Sequence, residues 1–235
     1  MPLIFSPLSD EAISHPPQAL FPKHAFIMRQ IGDPPGIDRL MTEATIRLLA
    51  NRGFGFKDAD ASTGSKDFVE RILGLIRGTA ITIAIFSGET RPTALANIML
   101  ELGFAAMCGK PLMIVKSKDA AAPSDLARTD WINFDPTDIP EFDRKVGQAI
   151  DQIEKLAEFE EMILDLALEA DSMDCAVALE RALKCFLLIG NLRFIDKVDT
   201  IKQKLSDMKH VDGVDDLNRL FNEASLIARL GRRAP

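Results

Sequence analysis

An amide and a carboxylate lie four residues apart in one segment of this chain. Asn97 and Glu101 fall on the same face of a helix if that helix begins near Ala94, because an α-helix repeats every 3.6 residues. Three residues form a neighbouring apolar stripe: Ile98, Leu102 and Ala105. We therefore expect Glu101 at the boundary between a packed core and a cleft, where a carboxylate can stabilise positive charge that develops on a substrate.

The segment that follows Glu101 contains strong signals for the end of a helix. Gly109 stops the predicted helix, and Pro111 prevents its continuation. The apolar residues 112–115 follow at once and predict a buried strand. The helix that carries Glu101 is thus expected to lead directly into a strand.

Short apolar runs alternate with amphipathic runs between Lys23 and Ile150, a pattern typical of a parallel sheet with crossover helices. The run at residues 80–86 is almost purely apolar, as expected for a strand that is covered on both faces. The predicted strands, in chain order, are residues 24–28, 55–57, 80–86, 112–115 and 131–134.

Two motifs in this region are similar to those of a known superfamily. Residues 25–30 read A-F-I-M-R-Q, against a family strand of the type F-V-I-M-P-F. Residues 97–111 read N-I-M-L-E-L-G-F-A-A-M-C-G-K-P, against the family pattern N-V-x-Y-E-L-G-x-A-x-x-x-G-K-P. Over roughly residues 22–150, the chain resembles the superfamily that joins nucleoside 2-deoxyribosyltransferases to bacterial TIR-like proteins. The resemblance implies an α/β fold with a flavodoxin-like or TIR-like parallel sheet.

The topology of such a sheet indicates where a ligand binds. In the strand order 2-1-3-4-5, the order reverses between strands 1 and 3, and ligands bind beyond the carboxyl ends of those strands. The residues at these ends are Arg29, Gln30, Ser87 and Gly88. The helix that follows strand 3 brings Glu101 toward the same crevice.

The resemblance assigns chemistry to this crevice. In the deoxyribosyltransferases the corresponding glutamate is the nucleophile. In the TIR enzymes it supports cleavage of the nicotinamide–ribose bond of NAD. The resemblance therefore implies that Glu101 is the catalytic residue. A carboxylate suits this reaction because the ribosyl centre becomes oxocarbenium-like as the base leaves. NAD is thus a candidate substrate, and no cofactor is implied.

Substrate-binding roles are predicted for six residues: Arg29, Gln30, Asp60, Ser87, Gly88 and Asn97. Arg29 either binds a phosphate through its planar fork of donors or pairs with an acid such as Asp58 or Asp60. Asn97 either contacts the substrate or only caps its helix. Ser87 and the Gly88 backbone are candidates to bind ribose hydroxyls or phosphate.

Two functional hypotheses remain open. The first is an enzyme that cleaves the N-glycosidic bond of NAD or a related nucleotide or nucleoside, as a bacterial defence or signalling effector. The alternative is a non-catalytic nucleotide-sensing or TIR-like assembly module. The intact Glu101 favours the enzyme. Two departures from the family favour the sensor: Leu100 in place of tyrosine, and F-S-G-E at residues 86–89 where the family often has D-x-T-G.

Composition limits the partners and the compartment. The net charge of −7 and the pI near 5.1 argue against a nucleic-acid surface, which needs clustered lysine and arginine. Neither the three cysteines nor the three histidines show a metal-ligand spacing, so free thiols and no metal site are expected. A cytoplasmic protein without a signal peptide or membrane span is predicted.

The sequence pattern becomes purely helical beyond Pro140. We expect three parts: an extended arm at residues 1–21, the α/β domain at residues 22–155, and a C-terminal helical bundle module at residues 156–235. The module's amphipathic helices have their own stop signals, which favours homo-oligomerisation through them.

Overall fold

The computed structural model of the chain describes residues 4–5, 12–13, 17–59, 68–121, 131–169, 175–208 and 214–235. Two short antiparallel strands, β1 (Ile4–Phe5) and β2 (Ala12–Ile13), come first. The central sheet consists of β3 (Phe21–Met28), β4 (Gly55–Asp58), β5 (Thr79–Phe86), β6 (Leu112–Ser117) and β7 (Trp131–Phe134). Its five strands are all parallel, in the order β4-β3-β5-β6-β7.

This order confirms the predicted flavodoxin-like sheet, with the reversal of strand order between β3 and β5. Three crossover helices connect the strands: α1 (Gly36–Asn51), α2 (Phe68–Gly78) and α3 (Pro92–Met107). The remaining described helices follow the sheet: α4 (Ile139–Glu169), α5 (Cys175–Ile189), α6 (Arg193–Asp207) and α7 (Val214–Gly231). No helix in the described ranges is long and apolar enough to cross a membrane.

Two hydrophobic clusters cover the faces of the sheet. All eight residues of β5 are buried, and successive side chains alternate between the faces. Ile83 and Ile85 belong to the cluster formed with α1, α4 and α5. Ala84 and Phe86 belong to the smaller cluster under α2 and α3. The continuous apolar run of β5 therefore follows from its burial on both sides.

The C-terminal helices share a core with the sheet. α5 packs directly against β3 and β5, and its residues Leu179, Leu183 and Phe186 are buried in the same cluster as the sheet residues. α5 also packs against α4, α6 and α7. The predicted boundary between residues 155 and 156 falls inside α4, and the division into two domains stays a prediction.

A buried ion-pair cluster joins α2 to the C-terminal helices. The Arg77 guanidinium donates to Glu180 of α5 at 2.6 Å and to Glu223 of α7 at 2.5 Å. Nearby, the Lys110 ammonium donates to the backbone oxygens of Arg77 and Thr79, at 2.9 and 2.7 Å. Removal of one partner of such an ion pair leaves the other charge buried and unpaired, which is strongly destabilising, so the two pairs of Arg77 hold α5 and α7 against α2.

Candidate functional site

Glu101 lies on the packed side of α3. The helix begins with Pro92 in its first turn, where a proline costs no hydrogen bond. Its buried residues are Ile98, Glu101, Leu102 and Ala105, so the predicted apolar stripe is confirmed and the carboxylate lies beside it. Only 9% of the Glu101 surface is exposed. Glu101 is therefore not an ordinary solvated helix residue.

The Glu101 carboxylate has no charged or hydrogen-bonding partner in the described part of the chain. Among the described residues, no side chain or backbone group donates to it. Burial alone raises the pKa of its carboxyl group to about 7, and no neighbouring charge contributes to the shift. A buried carboxylate without partners destabilises the folded chain when it is ionised, which is the pattern expected of a functional rather than a structural group.

The position of Glu101 along α3 separates it from the end of the sheet. α3 connects the parallel strands β5 and β6, so it runs from the carboxyl ends of the strands back toward their amino ends. Glu101 comes nine positions after Pro92, the first residue of the helix. At 1.5 Å per residue, Glu101 lies about 14 Å along the helix from its start. Asn97 lies one turn nearer the edge and is exposed, and its side-chain amide makes no hydrogen bond to any described residue.

Arg29 follows β3 and forms an ion pair with the last residue of β4. Its Nη2 donates to Asp58 Oδ2 at 2.8 Å. This is one of the two arrangements predicted for Arg29, whereas Asp60 lies outside the described residues. Arg29 also borders a cleft of about 220 Å³ whose other lining residues include Gln30, Asp38 and Thr42. A phosphate-binding role for Arg29 stays a prediction.

Gln30 connects the loop after β3 to the start of α3. Its amide nitrogen donates to the Asp33 carbonyl oxygen at 2.8 Å, and its amide oxygen accepts the Arg91 backbone N–H at 2.9 Å. Only 2% of Gln30 is exposed. Both ends of the amide are therefore used to hold the two loops together, and its predicted contact with substrate stays a prediction.

A second chain of hydrogen bonds joins the loop after β5 to α1. The Ser87 N–H donates to Thr90 Oγ1 at 2.8 Å, and that hydroxyl donates to Asp38 Oδ2 at 2.8 Å. Asp38 is 1% exposed, and its Oδ1 has no hydrogen-bond partner among the described residues. The Gly88 N–H donates to Ser117 Oγ at 3.2 Å. The edge of the sheet thus contains a buried carboxylate, Asp38, one of whose oxygens is unsatisfied in the described part of the chain.

Sequence reasoning missed Asp38 and Thr90. An acid in the first turn of a helix is ordinary, because it complements the helix dipole, so Asp38 gave no signal of its own. Its partner Thr90 lies 52 residues later in the chain. Only the packing of α1 beside β5 brings the two together.

The structure thus brings together the loops that follow β3 and β5, as the predicted strand order requires. It does not join them to the catalytic candidate. In the part of the chain that is described, no hydrogen bond or ion pair connects Glu101 to Arg29, Gln30 or Ser87. The same described ranges contain no group of three or more His, Cys, Asp or Glu residues that could hold a metal ion.

No protein-family model and no curated protein matches this chain. The likeness to the deoxyribosyltransferase and TIR superfamily therefore depends on the motif residues themselves, chiefly those from Asn97 to Pro111.

Proposed function

We propose that this protein cleaves the N-glycosidic bond of NAD or a related nucleotide or nucleoside, with Glu101 as its catalytic carboxylate. The observation that carries the proposal is the burial of Glu101 without a partner among the described residues, which raises the pKa of its carboxyl group to about 7. Perturbed carboxylates of this kind concentrate at functional sites. The motif from Asn97 to Pro111 supplies the second support.

The reaction needs a negative charge beside the sugar. When the bond between the ribosyl C1′ and the base nitrogen breaks, its electron pair leaves with the base and C1′ becomes positively charged. The Glu101 carboxylate stabilises this charge or attacks C1′ to form a glycosyl ester, which water or a second acceptor then resolves. In a water-poor site such stabilisation is much stronger than in solution.

The cleft beside Arg29 is the proposed place for the rest of the substrate. Arg29 would bind phosphate, while Ser87, Gly88 and Asn97 would contact ribose hydroxyls or phosphate. Gln30 and Asp60 are the two other substrate-binding residues that the sequence predicts. Asp38 Oδ1, which has no hydrogen-bond partner among the described residues, would be an additional acceptor for a sugar hydroxyl. We place this activity in the cytoplasm, in a defence or signalling effector.

One observation favours the alternative of a nucleotide-sensing or assembly module. Several groups at the sheet edge already have partners: Arg29 pairs with Asp58, both ends of the Gln30 amide are bonded, and the Ser87 N–H is bonded to Thr90. A site whose donors are engaged in holding loops together has fewer donors for a transition state. This alternative predicts binding without release of base.

The decisive experiment is incubation of the purified protein with NAD and, separately, with a panel of nucleosides. Chromatography then measures the free base. We expect release of base by the wild type and by the control variant Asp215→Asn, which removes one exposed charge on α7. Binding of a nucleotide without release of base from any substrate would contradict the enzyme and support the sensor.

Replacement of Arg29 by alanine should weaken phosphate-bearing ligands more than plain nucleosides, because a charge-assisted contact is lost only for the former. The matched variant is Asp58→Asn, which removes the negative charge that faces Arg29 at 2.8 Å and should leave phosphate binding intact or stronger. Titration calorimetry with NAD and with a nucleoside measures both variants. Equal losses of affinity for NAD and for the nucleoside would indicate that Arg29 has a structural role and does not bind phosphate.

A further inference from the structure

A second cavity, of about 230 Å³, lies at the other edge of the sheet from the cleft beside Arg29. It is bounded by the end of α2, by the residues that follow α3 and by one side of α5. Because α2 ends where β5 begins and α3 ends shortly before β6, the cavity lies at the amino ends of these strands. Glu180 contributes a carboxylate to its wall. Four cationic side chains line it: Arg77, Lys110, Arg181 and Lys184.

The turn after α3 places the Lys110 ammonium at the end of α2. Gly109 has a positive φ of 63°, and the Gly109 and Lys110 N–H groups donate back to carbonyl oxygens in the last turn of α3, both at 3.0 Å. This is the Schellman motif, which commonly ends a helix at a glycine. The ammonium donates to the Arg77 and Thr79 carbonyl oxygens. Because an ammonium has three N–H donors, one donor of Lys110 has no acceptor among the described residues.

In the described part of the chain, the carboxylates that pair with the four cations are too few to neutralise them. Arg77 pairs with two carboxylates, and Arg181 and Lys184 share a third. These carboxylates are Glu160, Glu180 and Glu223. The partners of Lys110 are the two backbone oxygens. When Lys110 is protonated, four positive charges therefore face three negative ones, and the cavity favours an anion.

We propose that this cavity binds a small oxyanion, either inorganic phosphate or the phosphate group of a small molecule, with Lys110 as the principal donor. Arg181 and Lys184 supply further cationic donors at the cavity wall. Ammonium and guanidinium groups bind phosphate oxygens through charge-assisted hydrogen bonds. A cationic ligand would instead meet the excess positive charge. The described lining contains neither Arg29 nor Glu101, so this site does not depend on the proposed glycosidic activity.

Binding of the anion should depend on pH through Lys110. Burial lowers the pKa of this ammonium to about 7. The titratable groups around it come from α2, α5, α7 and the turn after α3: Arg77, Cys108, Glu180, Arg181, Lys184 and Glu223. Burial raises the pKa of the Cys108 thiol, so that neighbour stays neutral near pH 7. Lys110 is therefore the group whose charge changes in this range.

Titration calorimetry with sulfate measures this dependence, because sulfate has the shape of phosphate and keeps its charge in this range. With ionic strength held constant by chloride, the affinity of the full chain for sulfate should fall by about tenfold or more between about pH 6 and about pH 9. Inorganic phosphate should compete with sulfate. A wild-type protein that binds sulfate no better than chloride would overturn the proposal.

Substitution of the lysines tests which group binds the anion. Lys110→Gln should bind sulfate about tenfold more weakly at about pH 6 and should lose the dependence on pH. Lys184→Gln should weaken binding by about threefold and should stay folded, because Glu160 keeps Arg181 as a partner. Lys197→Gln is the matched control, since it removes a partly exposed, ion-paired lysine of α6 outside the cavity. Wild-type affinity in both Lys110→Gln and Lys184→Gln would overturn the proposal.

The Cys108 thiol reports where the anion binds. Cys108 lines the cavity and is partly exposed, whereas Cys175 and Cys185 are buried. Sulfate or phosphate should therefore slow the alkylation of Cys108 by iodoacetamide, as measured by mass spectrometry of the cysteine-containing peptides. The same protection should occur in Arg29→Ala, which lacks the arginine of the other cleft. An alkylation rate of Cys108 that sulfate does not change, or protection that is lost in Arg29→Ala, would contradict the assignment of the anion to this cavity.

Discussion

Replacement of Glu101 by glutamine is expected to abolish base release and, at alkaline pH, to stabilise the fold. Glutamine keeps the shape of the side chain and removes its charge. Loss of the carboxylate should lower the rate by about a hundredfold or more, as for other groups that stabilise charge in a transition state. The gain in stability follows from the burial of Glu101 without a partner among the described residues.

The direction of the stability effect comes from proton linkage. The pKa of Glu101 is raised from 4.5 to about 7 on folding, so between these values the folded chain binds more protons than the unfolded one. The free energy of unfolding therefore falls as pH rises through this range and then levels off. The difference in pKa corresponds to a loss of about 3 kcal/mol in the free energy of unfolding when Glu101 is ionised. Glu101→Gln should therefore be more stable than the wild type by about this amount above pH 7, and about as stable as the wild type near pH 4.5.

Urea unfolding of the wild type and of Glu101→Gln at about pH 5 and about pH 8 measures this effect. Asp215→Asn serves as the control, since Asp215 is exposed and should show no such pH-dependent gain. Equal stabilities of the wild type and Glu101→Gln at about pH 8 would mean that the carboxylate is solvated.

Removal of the helices that follow α4 is expected to unfold the protein. α5 contacts β3 and β5 directly, and nine of its residues are buried, including Leu179, Leu183 and Phe186. Each large apolar side chain contributes about 1.5–3 kcal/mol when buried, and a domain is stable by only about 5–15 kcal/mol. Truncation after Glu169 would expose the sheet face that α5 covers.

The sequence-based division into two domains gives the opposite expectation, since it predicts that a chain ending near Ala170 stays folded as a smaller species. Circular dichroism, limited proteolysis and light scattering of that shortened chain distinguish the two. A chain that ends at Gly231 is the control and should unfold cooperatively. Cooperative unfolding of the shorter chain as well would establish the separate helical module.

Local signals were sufficient to predict the sheet. The apolar run of β5, and the Gly109 and Pro111 stop signals before β6, fixed where these elements lie and which of them are covered on both sides. The spacing of Ile98, Leu102 and Ala105 likewise gave the packed side of α3, with Glu101 beside it. Such patterns can be read from the sequence because they repeat within a few residues.

The contacts of the site could not be predicted from local patterns, because they join segments that are distant in the sequence. An amphipathic pattern shows that a helix buries one face, but not which element covers it, so the sequence alone does not show that α5 packs against β3 and β5. Its buried residues extend around most of the helix, and that near-continuous apolar composition is the signal of a helix inside a larger core. The Asp38–Thr90 bond and the two bonds of Gln30 depend on loop geometry that no local pattern encodes.

The pH dependence of base release, compared between the wild type and Glu101→Gln, tests the proposed role of Glu101 most directly. Because the ionised carboxylate is the form that stabilises the ribosyl cation, the wild-type rate should rise with pH and level off, with a midpoint near the pKa of about 7. The Glu101→Gln rate should be lower by about a hundredfold or more and should lack this rise. A wild-type rate that does not change through this range, or full activity in Glu101→Gln, would contradict the assignment of Glu101 as the catalytic carboxylate.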